Sequence, residues 1–290
     1  MAFLTITDPD VYARDIAHAR NTLQWRSAED VARLGAGGSD LTDAYNVQRE
    51  LASGKFADHI GPLVGWKCGA TNAEAQFALQ VDGPFLGPLF ANSVVHLGIG
   101  VQWSVEHKIL GAPSFKANSE AEFAFVMKDS LPPRDDAGIY SQEEVWEAVM
   151  EVCPAIELVG SRYDAPGSET TTSAKVADCA INAMAIMGPG VARESLGELS
   201  NLADVRCSLL IDGSQAASGT GANVLGNPVT SLTWLANDLP RRTGHYLRKG
   251  DVVMSGAVCS SNKFAAGSTI AIRFMGLPAG GESGTSVVLT

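Results

Sequence analysis

The amino-acid sequence predicts an α+β fold in which a helical N-terminal lobe precedes a mixed, rolled or closed β-sheet core. Three observations point there. Residues 8–60 place apolar side chains at helical spacing. From residue 61 the texture changes to short β-branched and aromatic runs bounded by glycine and proline. Later helical patterns are few and isolated, which separates this chain from a regular alternation of strands and helices. Residues 1–60 are therefore read as the helical lobe and residues 61–290 as a β-rich core forming one structural unit.

Asp8-Pro9 is a helix start, with Val11, Ile16, Ala19 and Leu23 on one apolar face. Gly35 to Asp40 is a connector, after which Asp40 or Thr42 can cap a helix bearing Ala44, Val47 and Leu51. Strands are predicted over 63–68, 85–90, 93–97 and 120–127. Ser141-Gln-Glu-Glu144 has the spacing of a capping box and opens a helix through Val145, Val149 and Val152. A strand bearing Glu157 follows, then a polar surface loop over 163–173. Further strands are expected around 183–187, 207–211, 252–255 and 269–274, with a turn at Asp212-Gly213 and a helix near 228–238. Residues 276–290 show little pattern.

A net charge of −11 with scattered lysines and arginines argues against nucleic acid or an anionic membrane as partner. No apolar run approaches the roughly 20 residues of a membrane-crossing helix, and the first residues lack the pattern of an export signal. Five cysteines without a Cys-x-x-Cys pair fit buried thiols in a reducing, cytoplasmic compartment and give zinc poor support. Gly188-Pro-Gly190 and Gly219-Thr-Gly221 stand outside any strand, Gly-x-Gly-x-x-Gly, helix arrangement, so a nucleotide site is not indicated.

Three carboxylates in apolar surroundings carry the chemistry. On an extended strand Glu120 and Glu122 project to one face while Phe123 and Phe125 point to the opposite layer, and Glu157 lies in a second hydrophobic run. Isolated ionised carboxylates are costly to bury, so convergence on one cation accounts for all three. Oxygen-only ligation favours a hard ion, Mg²⁺ or Mn²⁺. The competing reading leaves the pair on a solvated strand edge, with Glu157 capping a turn or pairing with Arg162.

Seven runs occur in order: Gly65 to Thr71, Leu79 to Phe90, Glu120-Ala-Glu122, Ala155 to Arg162, Ser218 to Gly221, Leu225 to Val229 and Gly250 to Gly256. Together they resemble the 2-oxopent-4-enoate hydratase and 4-oxalocrotonate decarboxylase family, within the fumarylacetoacetate hydrolase superfamily. The resemblance implies a β-roll core of that type, a homo-oligomer, and Mg²⁺ or Mn²⁺ on Glu120, Glu122 and Glu157. It implies a small 2-oxo acid or its enol as substrate, with the cation stabilising an enolate. Hydration, decarboxylation and acylpyruvate carbon–carbon hydrolysis all share that chemistry, and a non-catalytic metal-binding subunit is a further alternative.

Lys67 matches the family's active-site lysine, expected to orient the substrate carboxylate or shuttle a proton with a lowered pKa. Thr71 is expected to support the loop or touch the substrate, and the backbone amides from Leu79 to Val81 are expected to bind the substrate carboxylate. Asp82 matches the first aspartate of the family's Asp-x-Pro-Asp-Phe-Gly, whereas Phe85 stands where the second, proton-transferring aspartate belongs. Cys179 replaces the amide of Ala-Asp-Asn-Ala-Ser, Lys116 precedes the acid pair in place of an arginine, and Lys263 adds charge in an apolar stretch. These departures point to a changed substrate tail or reaction. His107, beside Glu106, is a candidate general acid or base.

Overall fold

The structure is a computed structural model that describes residues 8–22, 40–98, 103–105, 118–135, 138–160, 162, 171–199, 201–278 and 280–289. Helices α1 (Pro9–Thr22), α2 (Thr42–Ala52) and α3 (Ala57–Ile60) come first. Then follow β1 (Leu63–Gly69), α4 (Ala73–Leu79), β2 (Phe85–Phe90), β3 (Val94–His96), β4 (Trp103–Val105) and β5 (Asn118–Met127). Next are α5 (Gln142–Glu147), β6 (Val149–Val159), α6 (Thr172–Ala177), β7 (Asn182–Met187), β8 (Val191–Ala192) and α7 (Asn201–Asp204). The last elements are β9 (Arg206–Ile211), β10 (Ser214–Thr220), α8 (Pro228–Thr243), β11 (Val252–Ala257), β12 (Asn262–Lys263), β13 (Thr269–Met275) and β14 (Glu282–Leu289).

The strands form two mixed sheets. The larger runs β2-β1-β11-β5-β6-β7-β3, with β12 added to β5 and β8 to β6, and the smaller runs β10-β9-β13-β14-β4. They meet through the inward aromatic positions of β5, where Phe123 packs edge-to-face on Phe274 with ring centroids 4.8 Å apart. Tyr12, Ile16, Tyr45 and Leu51 of the N-terminal helices belong to the same apolar cluster as Trp66, Phe123 and Ile156, so lobe and sheet share one core. All five cysteines are free and buried, as small apolar side chains. Among the described residues no helix is long and apolar enough to cross a membrane.

The signals at Asp8 and Ser141 act as read, whereas α2 has Leu41 at its N-cap with no side-chain capping bond and Asp40 lies one residue before it. The Asp8 carboxylate accepts from the amides of Asp10 at 3.0 Å and Val11 at 3.3 Å, Asp40 accepts from Thr42 at 3.0 Å, and Ser141 with Glu144 completes a capping box. Other readings change. Val11 is 46% exposed, and the buried stripe of α1 is Tyr12, Ala13, Ile16, Ala17 and Ala19; Leu23 and residues 35–39 lie outside the described residues. Helix α5 stops at Glu147 because Val149 and Val152 are taken into β6, whose ten registered pairs with β5 outweigh helical spacing. Thr172 opens α6 rather than continuing a loop, and residues 163–170 are outside the described set. Helix α8 reaches Thr243, and residues 282–289 form β14, paired to β13 along its length.

Candidate active site

The antiparallel register of β5 and β6 places Glu120 opposite Glu157 and Glu122 opposite Ala155. Alternation along both strands then brings the three carboxylates to one face, with an oxygen of each within 4.8 Å of the others. Glu122 and Glu157 are fully buried, which removes the solvated-edge reading for Glu122. Burial first, and then the charge of Glu157, hold the Glu120 carboxyl above the ordinary range and Glu122 well above it.

The surrounding strands orient these groups. Opposite β5, the β11 register shifts between Met254 and Ala257, and at this irregularity the Gly256 amide donates to Glu122 Oε2 at 2.9 Å. Gly256 has φ +97°, and a Cβ there would lie 2.2 Å from Thr71 Oγ1, so both the conformation and the space require glycine. On the other side, Asn182 Nδ2 donates to Glu157 Oε1 at 2.8 Å. Lys67, buried on β1, sets Nζ 3.0 Å from Glu157 Oε2 and donates to the Ala180 carbonyl at 3.4 Å. Glu157 thus pairs with Lys67, while Arg162 pairs with Asp178.

Burial disfavours the charged form of Lys67, yet Glu157, Glu122 and Glu120 outweigh it and hold the ammonium above the ordinary lysine range. In the metal-free site the expected lowering is reversed: beside three acids the lysine keeps its proton. Fully ionised, three carboxylates facing one ammonium carry an excess of two negative charges, the complement of one divalent cation. Glu122 Oε1 is buried and receives no hydrogen bond, whereas Glu157 Oε2 is held by Lys67. An open buried carboxylate oxygen, an all-oxygen donor set and that charge balance fit a hard divalent ion.

Beside the triad lies a cavity of about 120 Å³ lined by Lys67, Thr71, Leu79, Phe85, Glu120 and Ile181, among others. It shares Asn72, Ala75, Glu120 and Ala257 with an outer cavity of about 650 Å³. Lys67, Thr71, Leu79 and Phe85 therefore come together with the acids. Other expected residues do not join them. The amides of Gln80 and Val81 donate to Phe77 and Gln76 carbonyls at the end of α4, so they are spent on the helix terminus and not aimed at a ligand. Asp82 is exposed, and Lys263 is exposed on β12 opposite Asn118. Cys179 is buried over Gly87, where burial pushes its thiol up to about 11; its neighbours Ala180 and Ile181 reach the cavity instead. His107, Glu106 and Lys116 lie outside the described residues.

Asn182 and Gly256 were not singled out from sequence. Gly256 closes the run from Gly250, and Asn182 follows the Ala177 to Ile181 segment where Cys179 drew attention. Their roles depend on strand pairing that is distant in sequence.

Residues 68–282 match the family model described as fumarylacetoacetate (FAA) hydrolase, C-terminal. The chain is 31% identical over 250 residues to the TodF product hydratase of Pseudomonas putida, covering 83% of each chain. It is 30% identical over 245 residues to a 4-oxalocrotonate decarboxylase of a Pseudomonas species, covering 82% of this chain and 84% of the relative. Among solved structures, 4-oxalocrotonate decarboxylase from Pseudomonas putida, complexed with magnesium and adipate, shares the fold with a TM-score of 0.78. That match is 24% identical and covers 97% of both chains.

Proposed function

This chain belongs to the fumarylacetoacetate hydrolase family, and from that premise we propose a divalent-metal-dependent lyase acting on a 2-oxo acid or its enol. The observation that carries the reading is the convergence of half-buried Glu120 with the buried Glu122 and Glu157 beside Lys67, where Glu122 keeps an open carboxylate oxygen and the ionised acids exceed the ammonium by two charges. Those three glutamates would hold Mg²⁺ or Mn²⁺. The bound cation supplies a Lewis acid for the carboxylate and 2-oxo oxygens of the substrate.

The chain's own groups do the rest. Lys67 Nζ, protonated and held by Glu157 and the Ala180 carbonyl, retains a third N–H for the substrate carboxylate. Lys67 is thus an orienting cation and, from its charged state, a proton donor. Phe85, Leu79, Val159 and Ile181 give the inner cavity an apolar wall that limits water near the reacting carbons. The Phe85 ring stands against Gly69, where an added Cβ would lie 2.2 Å from it. With an aromatic ring where family hydratases resemble each other in carrying an aspartate, this wall favours decarboxylation over water addition. By family analogy we infer a cytoplasmic homo-oligomer.

The test is turnover of 2-hydroxydienoates and 2-oxo diacids with Mg²⁺ or Mn²⁺, read by ultraviolet loss and CO₂ release. Turnover that chelation abolishes and metal restores is expected. No turnover of any of these substrates would overturn the reading.

A further inference from the structure

The geometry points to Asn182 as a positioning residue for the cation site, anchored from the N-terminal helix. This inference rests on the cation reading of Glu120, Glu122 and Glu157 given above. Asn182 is fully buried at the start of β7, where the β6 register shifts between Leu158 and Val159. Its Nδ2 donates to Glu157 Oε1 at 2.8 Å, leaving Glu157 Oε2 as the oxygen that faces Lys67. The amide does not line the inner cavity, so it acts through Glu157.

Two observations separate this role from ordinary packing. The other half of the amide, Oδ1, is buried without a hydrogen-bond partner. An orphaned carbonyl oxygen is a liability that a leucine of the same shape would avoid, so the amide's gain lies in its bond to Glu157. Second, the Asn182 backbone is clamped: its carbonyl accepts from Arg20 Nη2 at 2.8 Å and Arg162 Nη1 at 3.2 Å. Asp178 holds both guanidiniums, at 2.8 Å and 3.4 Å. Arg20 lies on α1, so the lobe reaches within one residue of a cation ligand. Hydrogen-bond partners that orient metal ligands fix which lone pair is presented to the ion.

The experiment compares wild type with Asn182→Leu, measuring free Mn²⁺ by electron paramagnetic resonance during titration and the melting temperature of the metal-free proteins. N182L is expected to bind Mn²⁺ roughly 10- to 100-fold more weakly, while its metal-free melting temperature stays at or above that of wild type. Asn182→Ala carries the same affinity expectation if N182L does not fold. Mn²⁺ affinity within twofold of wild type in the folded variant overturns the inference, as does failure of both variants to fold, which would assign Asn182 to structure alone. Absence of Mn²⁺ binding by wild type would instead overturn the cation reading itself.

Discussion

Glu120 and Glu157 stand directly opposite each other on adjacent antiparallel strands, two carboxylates in register with Glu122 on the same face. Like charges opposed across a strand pair destabilise a sheet. Burial makes the repulsion stronger by lowering the effective dielectric. The sheet therefore bears a local cost that a bound cation removes.

Replacing Glu122 by Gln should consequently stabilise the metal-free protein and abolish stabilisation by metal. For wild type, Mn²⁺ at 100 times its dissociation constant adds about 2.7 kcal/mol. Calorimetry with and without Mn²⁺ reads both effects. A variant still stabilised as strongly as wild type would contradict the ligand role of Glu122.

The raised position of Glu122 gives a pH signature. A carboxyl whose folded pKa lies above its unfolded value favours folding when protonated. This contribution is complete below the unfolded value of about 4.3 and is lost as pH rises through the folded value. In chelator, wild type should lose stability relative to E122Q as pH climbs from about 4 toward neutrality. Saturating Mg²⁺ should remove that loss, because the ion favours the ionised triad. Melting temperatures across pH, with and without Mg²⁺, provide the comparison; parallel curves for the two proteins in chelator would contradict it.

Lys67 is the buried ammonium beside Glu157, and Lys67→Met strands that carboxylate. Removing one partner of a buried ion pair costs about 3–5 kcal/mol. Urea melts of the metal-free variant should show a loss of that order, with Mn²⁺ restoring part of it and turnover abolished. A neutral effect on metal-free stability would place the Lys67 charge outside the triad's balance.

Gly256→Ala tests the backbone donor. At φ +97° and with Thr71 Oγ1 2.2 Å from the new Cβ, the substitution forces the segment to move. A destabilisation of about 1–3 kcal/mol is expected, together with weaker Mn²⁺ binding as the amide leaves Glu122. Isothermal titration calorimetry on the folded variant checks the second effect, and unchanged affinity would show that the Gly256 amide does not orient the carboxylate.

The parts of this site carried by local pattern were legible in the sequence. Glu120 and Glu122 share a face because strand alternation is local, and β1, β2 and β5 were marked by β-branched and aromatic residues. The strands β10 and β14 were not, since Ser214 to Thr220 and Glu282 to Leu289 are rich in serine and glycine or threonine and gain their character from pairing. Helix α4 has no buried residue, so no apolar stripe announced it. Asn182 and Gly256 act across strand boundaries, and the protonation of Lys67 depends on three acids brought together by the fold. None of these is a property of neighbouring residues.

The most direct measurement is a crystal structure with Mn²⁺ and oxalate, the ion located by anomalous scattering. The account predicts one Mn²⁺ peak bound by an oxygen from each of Glu120, Glu122 and Glu157, with oxalate completing the coordination beside Lys67. Mn²⁺ bound elsewhere, or oxalate seated away from the triad, would contradict it.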